Sequence, residues 1–264
     1  MIRPIDFFEL DTYKHKRLFD ETDLVWDALK DIKGYVRNQL NSNVSRIRGD
    51  NDVLLKTLVL YKGEVISEGF KVAPGSPVKG EFSVSLDGDQ LKGATVFFAG
   101  CSIFDEHIHI GEGCVVEPGA LIKGPTIIGD NTEIRQGAYI RGSCLIGDRC
   151  IVGHATEMKN SVMIGRVTAG HFAYIGDSIL GWDVNLGAGT KLANLSIVGT
   201  EINLKIDKKL YKTGLRKFGA VIGDSVETGC NSVTSPGTLL GKRSIVVPNA
   251  TVPCGYHPPK TIIR

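Results

Sequence analysis

Counting from Ile110, every sixth position is apolar: Ile110, Val116, Ile122, Ile128, Ile134, Ile140, Ile146, Val152, Met158 and Ile164. Four residues after each stands a small or slim side chain, from Cys114, Ala120 and Thr126 through to Val162 and Thr168. The pattern reaches back to Leu91, Phe97 and Ile103, and resumes at Ile222, Thr228, Thr234, Leu240, Val246 and Val252. Neither a helix nor a single strand has this period. It predicts a stacked repeat in which each unit is a short strand plus a turn. The aliphatic residue points into a narrow prism, and the small residue fits where the wall turns. Three units close one coil, and coils stack at the inter-strand spacing of about 4.8 Å.

The rest of the chain departs from the period. Residues 1–90 read as a helical and irregular β region. Within it, Asp20 is placed to cap a helix whose apolar stripe is Val25, Ala28, Leu29, Ile32 and Val36. Residues 91–255 are the repeat domain, interrupted by an excursion at 195–218, and 256–264 form a C-terminal tail. The excursion is rich in basic residues, among them Lys205, Lys208, Lys209 and Arg216. Insertions of this kind often carry binding functions.

Composition agrees with a fold of many tight turns and a slender core: 32 glycines among 264 residues and 7% aromatics. Lys and Arg number 31 against 29 Asp and Glu, so no global charge argues for nucleic acid or a membrane surface. No apolar run is long enough to span a bilayer, and MIRPIDFFELD lacks the features of a signal peptide, so a cytoplasmic protein is expected. Cys101, Cys114, Cys144 and Cys150 fall on the small-residue position and read as buried hydrophobes, and the chain has no CxxC.

Polar residues stand out in GHFAYIGDSILGWDVNLGAGTKLANL, residues 170–195. Two units near it are one residue short, Ile164 to Ala169 and Ile175 to Leu180. With coils starting at Ile128, Ile146, Ile164 and Leu180, His171 falls on the second face and Tyr174 at the corner of the second and third. Arg141 and Lys159 share a slot of the third face on adjacent coils, with Asn194 near that slot. Asn185 falls at the corner of the first and second faces. One edge is thereby expected to gather the histidine, tyrosine, one asparagine and two cations. Stacked like charges are unfavourable unless an anion sits with them, which suggests a sugar phosphate. Histidine is the side chain suited to general base work near neutral pH.

The segments YIRGSCLIGDRCIVGHATEMKNS and GHFAYIGDSILGWDVNLGAGTKLANL resemble the acetyltransferase half of bifunctional sugar-1-phosphate nucleotidylyltransferase/glucosamine-1-phosphate N-acetyltransferases, and TGLRKFGAVIGDSVETG resembles the archaeal and related branch of that family. The six-residue repeat itself resembles that of left-handed parallel β-helices. The resemblance implies a mainly β, left-handed parallel β-helix, a homotrimer, and acetyl-CoA as co-substrate with no metal. It implies His171 as general base, Arg141, Lys159 and Tyr174 on the sugar phosphate, and Asn185 and Asn194 orienting sugar and amine across a subunit boundary. The turn around Ala188 would supply an oxyanion N–H. Lys191, Lys242, Arg243 or the basic excursion are the candidates to meet the CoA phosphates.

Residues 1–90 lack the glycine-rich phosphate loop of the family's nucleotidyltransferase half, and are too few for such a domain. The expected reaction is acetyl transfer to the amine of an amino-sugar phosphate or nucleotide-linked amino sugar. Two alternatives remain open. One is a non-catalytic trimeric scaffold. The other is a metal enzyme akin to γ-class carbonic anhydrases, suggested by His154 and His171 on adjacent coils. Against it, positions 159 and 176 are lysine and glycine where a third ligand is needed.

Overall fold

The computed structural model describes residues 2–20, 22–48 and 52–264. The repeat folds into a parallel β-helix of three long sheets, each strand pairing with the equivalent strand one coil away. In every coil the chain runs through a first sheet (Thr126–Ile128, Cys144–Ile146), a second (Glu133–Ile134, Ile151–His154) and a third (Tyr139–Ile140, Glu157–Lys159). The six-residue positions fill the prism. Ile110, Ile122, Ile128, Ile134, Ile140, Ile146, Val152 and Met158 form one continuous buried cluster with the four small-slot cysteines.

The two short units lie one step from where the periodicity places the first of them. Met163, not Ile164, pairs with Ile146 in the interior slot, so the missing residue is lost between Met158 and Met163. The second short unit runs from Ile175 to Leu180, as expected. Both deletions fall in the turn from third to first sheet. Leu121, Tyr139 and Glu157 are in register 18 residues apart. Glu157, Tyr174 and Lys191 follow at spacings of 17. Ile164 instead faces outward, 1% exposed, in a second apolar cluster.

That second cluster explains the N-terminal region. The outward residues of the first sheet are aliphatic on coil after coil: Ile127, Leu145, Val162, Ile179, Val221 and Leu239. Such a face is costly to expose at roughly 25 cal/mol per Å² of apolar surface. It is covered by Phe7, Phe8, Phe19 and Trp26 and by the helix Ala28–Gln39 through Leu29, Ile32 and Val36. The stripe read from the sequence is the buried one, but Asp20 does not cap that helix. It ends the short helix Arg17–Asp20, and a 3₁₀ turn, Val25–Asp27, leads into Ala28. Lys14 bridges Asp130 and Asp148 on the corner between first and second sheets, and Asp224 accepts from the Glu9 N–H at 2.8 Å.

Three further departures concern segment boundaries. Leu58–Tyr61 pairs antiparallel with Thr95–Phe97 and so closes the lower end of the second sheet. The excursion contains a hairpin, Asn203–Ile206 with Lys209–Lys212, turned at Asp207 and Lys208, both with positive φ. Its alternate residues Ile202, Leu204 and Ile206 join the cluster over the first sheet, leaving Lys205, Lys208 and Lys209 in solvent. Residues 256–264 are no loose tail, because Ile262–Ile263 pairs with Ile245–Val246 and extends the second sheet. Among the described residues, no helix is long and apolar enough to cross a membrane.

Candidate functional site

His171 sits at the end of the strand Thr168–His171, where the second sheet turns into the third. Its ring is exposed, and the neighbouring Phe172 ring is 55% exposed with positive φ. His154 pairs with His171 one coil below and donates from Nδ1 to the Gln136 carbonyl at 3.0 Å. Thus the shared slot expected for the two histidines is present. Among the described residues, however, no group of three or more His, Cys, Asp or Glu side chains is placed to hold a metal ion.

The slot that carries His171 is informative above and below. It stands two residues after the interior position, and on successive coils it holds Pro118, Gln136, His154, His171, Ala188, Cys230 and Pro248. Prolines at two of these positions establish that the coil itself needs no N–H there. The Ala188 N–H accordingly has no acceptor among the described residues, while its neighbours do. Gly187 N–H donates to Thr228 and Gly189 N–H to the His171 carbonyl, both at 2.9 Å. A partnerless N–H therefore lies one coil above the histidine. On the next coil the same slot carries Cys230, an exposed thiol that the sequence reading passed over. Its position on the periodic ladder was the available signal.

The remaining polar candidates do not gather at that edge. Lys159, Asp177 and Asn194 occupy the opposite edge of the third sheet, where it turns back to the first. Their hub is Asp177, 5% exposed. Its carboxylate accepts from Lys159 Nζ at 2.6 Å, from Asn160 Nδ2 at 3.0 Å and from Asn194 Nδ2. The one-residue deletions make this possible. Asn160 and Asp177 occupy the tightened turns with φ of 44° and 48°, which brings consecutive coils' polar side chains together. Asn160 sits in the turn whose register the periodicity misplaces, whereas Asp177 sits in a turn it places correctly, and there the ion pair with the neighbouring coil leaves no sign in the sequence.

Arg141 and Lys159 do stack as the spacing implied, but the anions between them belong to the chain. Arg141 pairs with Glu157 at 2.7 Å, and Lys159 with Asp177. Cations and carboxylates alternate, so the stack alone demands no bound phosphate. Tyr174 spans the two edges. It starts the third-sheet strand Tyr174–Gly176, and its hydroxyl faces the Asn194 amide over Gly176. A Cβ at Gly176 would lie 2.7 Å from both groups, so only glycine fits between them. Burial, with Glu157 and Asp177 nearby, pushes the Tyr174 phenol above its ordinary range, keeping it a hydrogen-bond donor.

The other candidates scatter. Asn185 begins a second-sheet strand and donates to Glu227 at 3.0 Å. Lys191 flanks the turn at Ala188 and donates to the Gly189 carbonyl at 2.7 Å. Lys242 is held by Glu9 at 2.6 Å on the corner between first and second sheets, with Arg243 beside it, away from His171. The basic excursion likewise folds over the first sheet. Within one chain, Lys191 is the candidate cation nearest the histidine's edge.

The family model described as the GMPPB C-terminal domain matches residues 122–213, which takes in the His171 and Asp177 coils. A bifunctional sugar-1-phosphate nucleotidylyltransferase/acetyltransferase of Sulfurisphaera tokodaii is 42% identical over 82 residues, 31% of this chain and 20% of that protein. The bifunctional protein GlmU of Methanococcus vannielii is 44% identical over 82 residues, with the same two shares. The chain thus spans 20% of the length of these curated relatives. Among solved structures, the polysialic acid O-acetyltransferase OatWY is similar at 14% identity and a TM-score of 0.36, with 60% of this chain and 81% of that one covered. AntD, an N-acyltransferase from Bacillus cereus in complex with dTDP and coenzyme A, is similar at 15% identity and a TM-score of 0.32, with 59% of this chain and 77% of that one covered. The resemblance read from the repeat segments extends to named bifunctional nucleotidylyltransferase/acetyltransferases.

Proposed function

We propose that the chain is an acetyl-CoA-dependent N-acetyltransferase acting on an amino-sugar phosphate or a nucleotide-linked amino sugar. The observation that carries this reading is the ladder position of His171, an exposed imidazole with the partnerless Ala188 N–H one coil above it. His171 accepts a proton from the acceptor's amine as its nitrogen attacks the thioester carbonyl and the C–N bond forms. The Ala188 N–H donates to the oxyanion that develops on that carbonyl. When the C–S bond breaks, the proton on His171 is available to the departing thiolate. The acyl chain and thiol then lie along the slot that continues to Cys230, with Lys191 flanking it.

Tyr174, Lys159 and Arg141 form the acceptor side of the reading, with Asn194 and Asn185 orienting the sugar. Because Lys159, Arg141 and Asn194 lie at the far edge of the third sheet from His171, a complete site calls for a neighbouring subunit, and a homotrimer is part of the proposal. The first sheet is already covered, which leaves the second and third sheets, and the corner bearing His171, for such contacts.

The test is thiol release from acetyl-CoA with glucosamine-1-phosphate, galactosamine-1-phosphate and UDP-linked amino sugars. Turnover with one of them, falling roughly 10²–10⁴-fold in His171→Ala, is expected for loss of a general base. The fold should be intact, because the His171 ring makes no hydrogen bond among the described residues. Silence with every amine, from a trimer that binds no CoA, would instead favour a scaffold.

A further inference from the structure

Below Arg141 the outer surface of the third sheet carries residues that the acceptor reading leaves unused. Leu121 pairs with Ser102 and Tyr139 with Leu121, so Phe104, Lys123, Arg141 and Lys159 occupy one slot on four successive coils. Neighbours in this row are about 4.8 Å apart along the stack, which puts Phe104 about 14 Å from Lys159. Phe104 is 51% exposed, and Val53, bridged to Ser102 at the foot of the sheet, is 47% exposed on the same face.

Lys123 is the member without a counter-ion. Arg141 has Glu157 and Lys159 has Asp177, whereas no carboxylate lies within ion-pair distance of Lys123 among the described residues. Asp105, on the turn after Phe104, is taken by His107 at 2.8 Å. The Lys123 ammonium lies instead between two rings, 5.1 Å from the centre of Phe104 and 5.5 Å from that of Tyr139. A ring attracts a cation without neutralising it. The row's three cations thus face two carboxylates, and the surplus charge is that of Lys123. Arg141 continues the alternation, its Cζ 5.9 Å from the Tyr139 centre. It bonds Glu157 through Nη1 alone, so its Nε and Nη2 donors have no partner among the described residues. An unpaired cation, spare guanidinium donors and an exposed ring in one line suit an extended anion that ends in a flat ring.

We propose that this row is a nucleoside diphosphate subsite, and that the acceptor is a nucleotide-linked amino sugar rather than an amino-sugar phosphate. The proposal rests on the acceptor reading given above, with the sugar at Tyr174 and Asn194. The phosphate joined to the sugar meets Arg141 and Lys159, the second phosphate meets Lys123, and the base stacks on Phe104 with Val53 at its edge. An amino-sugar phosphate ends at Arg141 and leaves Lys123 and Phe104 without a role. Stacking on a ring accepts any base, so the row selects the class of acceptor and not one nucleotide.

Calorimetric titration of the full chain with UDP, uridine and pyrophosphate tests the subsite without requiring turnover. UDP is expected to saturate at one per chain and to bind about tenfold more tightly than uridine or pyrophosphate. Phe104→Ala should weaken UDP about tenfold and leave pyrophosphate unchanged, while Phe104→Trp should retain UDP. Lys123→Met should weaken UDP and pyrophosphate alike, about tenfold. Excess CoA should not displace UDP, which separates the row from a site for the donor's own nucleotide. In the acetyl-transfer assay, Phe104→Ala and Lys123→Met should each lower kcat/KM for a UDP-linked amino sugar about tenfold relative to glucosamine-1-phosphate. The subsite is overturned by no saturable binding at millimolar UDP, by displacement with CoA, or by UDP binding as tightly to both variants as to the parent. Acetylation of glucosamine-1-phosphate by a chain that binds no UDP sinks the subsite and spares the acetyltransferase reading. UDP binding with the expected losses, but no acetylation of any amine, does the reverse.

Discussion

Replacing Asp177 by asparagine conserves shape and removes one charge, and the structure gives the consequence a size. Three donors converge on that carboxylate, and its ion-pair partner Lys159 has a side chain only 16% exposed. In Asp177→Asn the ammonium keeps its burial and loses its counter-ion, while the new amide turns an N–H₂ toward groups that are themselves donors. Breaking a buried pair from one side costs about 3–5 kcal/mol, and the residual exposure of Lys159 places this case near 3 kcal/mol. For a chain of this size that corresponds to a melting point lower by roughly 6–10 °C. Thermal and urea unfolding followed by circular dichroism measure it, beside Lys159→Met and the double variant. Exchanging both partners for apolar or neutral groups leaves no stranded charge, so the double variant should lose less than Asp177→Asn alone. If Asp177→Asn melts within a degree of the parent, or the two changes simply add, the hub is not the energetic centre of this edge. Lys159→Met also separates two roles. A lysine that holds the acceptor's phosphate raises KM with little change in kcat, whereas a structural one changes stability alone.

Burial pushes the thiols of Cys101, Cys114, Cys144 and Cys150 up to about 12. Maleimide at neutral pH should therefore label only Cys230 and Cys254 in the native protein, and all six after denaturation, as read by intact mass. Prior addition of CoA should slow labelling of Cys230 and leave Cys254 unaffected. Gly153→Ala should cost roughly 1–3 kcal/mol or fail to fold, since the new Cβ would meet the Gly170 carbonyl oxygen in the next coil, whereas Gly170→Ala meets nothing closer than Thr168 Cγ2 at 3.9 Å and should be near neutral in urea unfolding. Burial works to raise the Asp130 carboxyl, but Lys14 and the Glu112 N–H outweigh it and hold it below its ordinary 3.8. A depressed carboxyl stabilises the fold above the unfolded-state value and loses that contribution as pH falls toward the folded one. Acid titration below about pH 4 should release the N-terminal segment, with Trp182 fluorescence as the readout. Lys14→Met should remove that pH dependence while leaving the β-helix strands folded.

The β-helix was legible because its interior slots accept almost nothing but aliphatic residues, so the period survives in the sequence unaided. Register was lost at one point only. Met163 and Ile164 are adjacent aliphatics, either of which fills an interior slot, and the choice is settled by the outer face of the first sheet. That face was itself readable: the residue before the interior position is aliphatic at Ile127, Leu145, Val162 and Ile179 but polar at Glu133, Glu157 and Lys191. An unbroken apolar column on the outside of a prism announces a cover, here the N-terminal region and the excursion hairpin. The ladder of His171 was placed correctly from spacing. The Asp177 hub was not, because tertiary ion pairing between consecutive coils is invisible until the turns are assigned.

The tightened turns at Asn160 and Asp177 turn chain length into a functional marker. The prism runs in coils of 18 residues below this point, so one residue added to either turn would restore the common period and leave the solenoid intact. It would also carry Lys159 and Asn160 out of reach of Asp177 and dissolve the polar edge without altering a single side chain in it. A homologue can therefore keep every residue named here and still lack the arrangement. In this architecture the distance between two interior residues, counted along the chain, says more about the site than the identity of what lies between them.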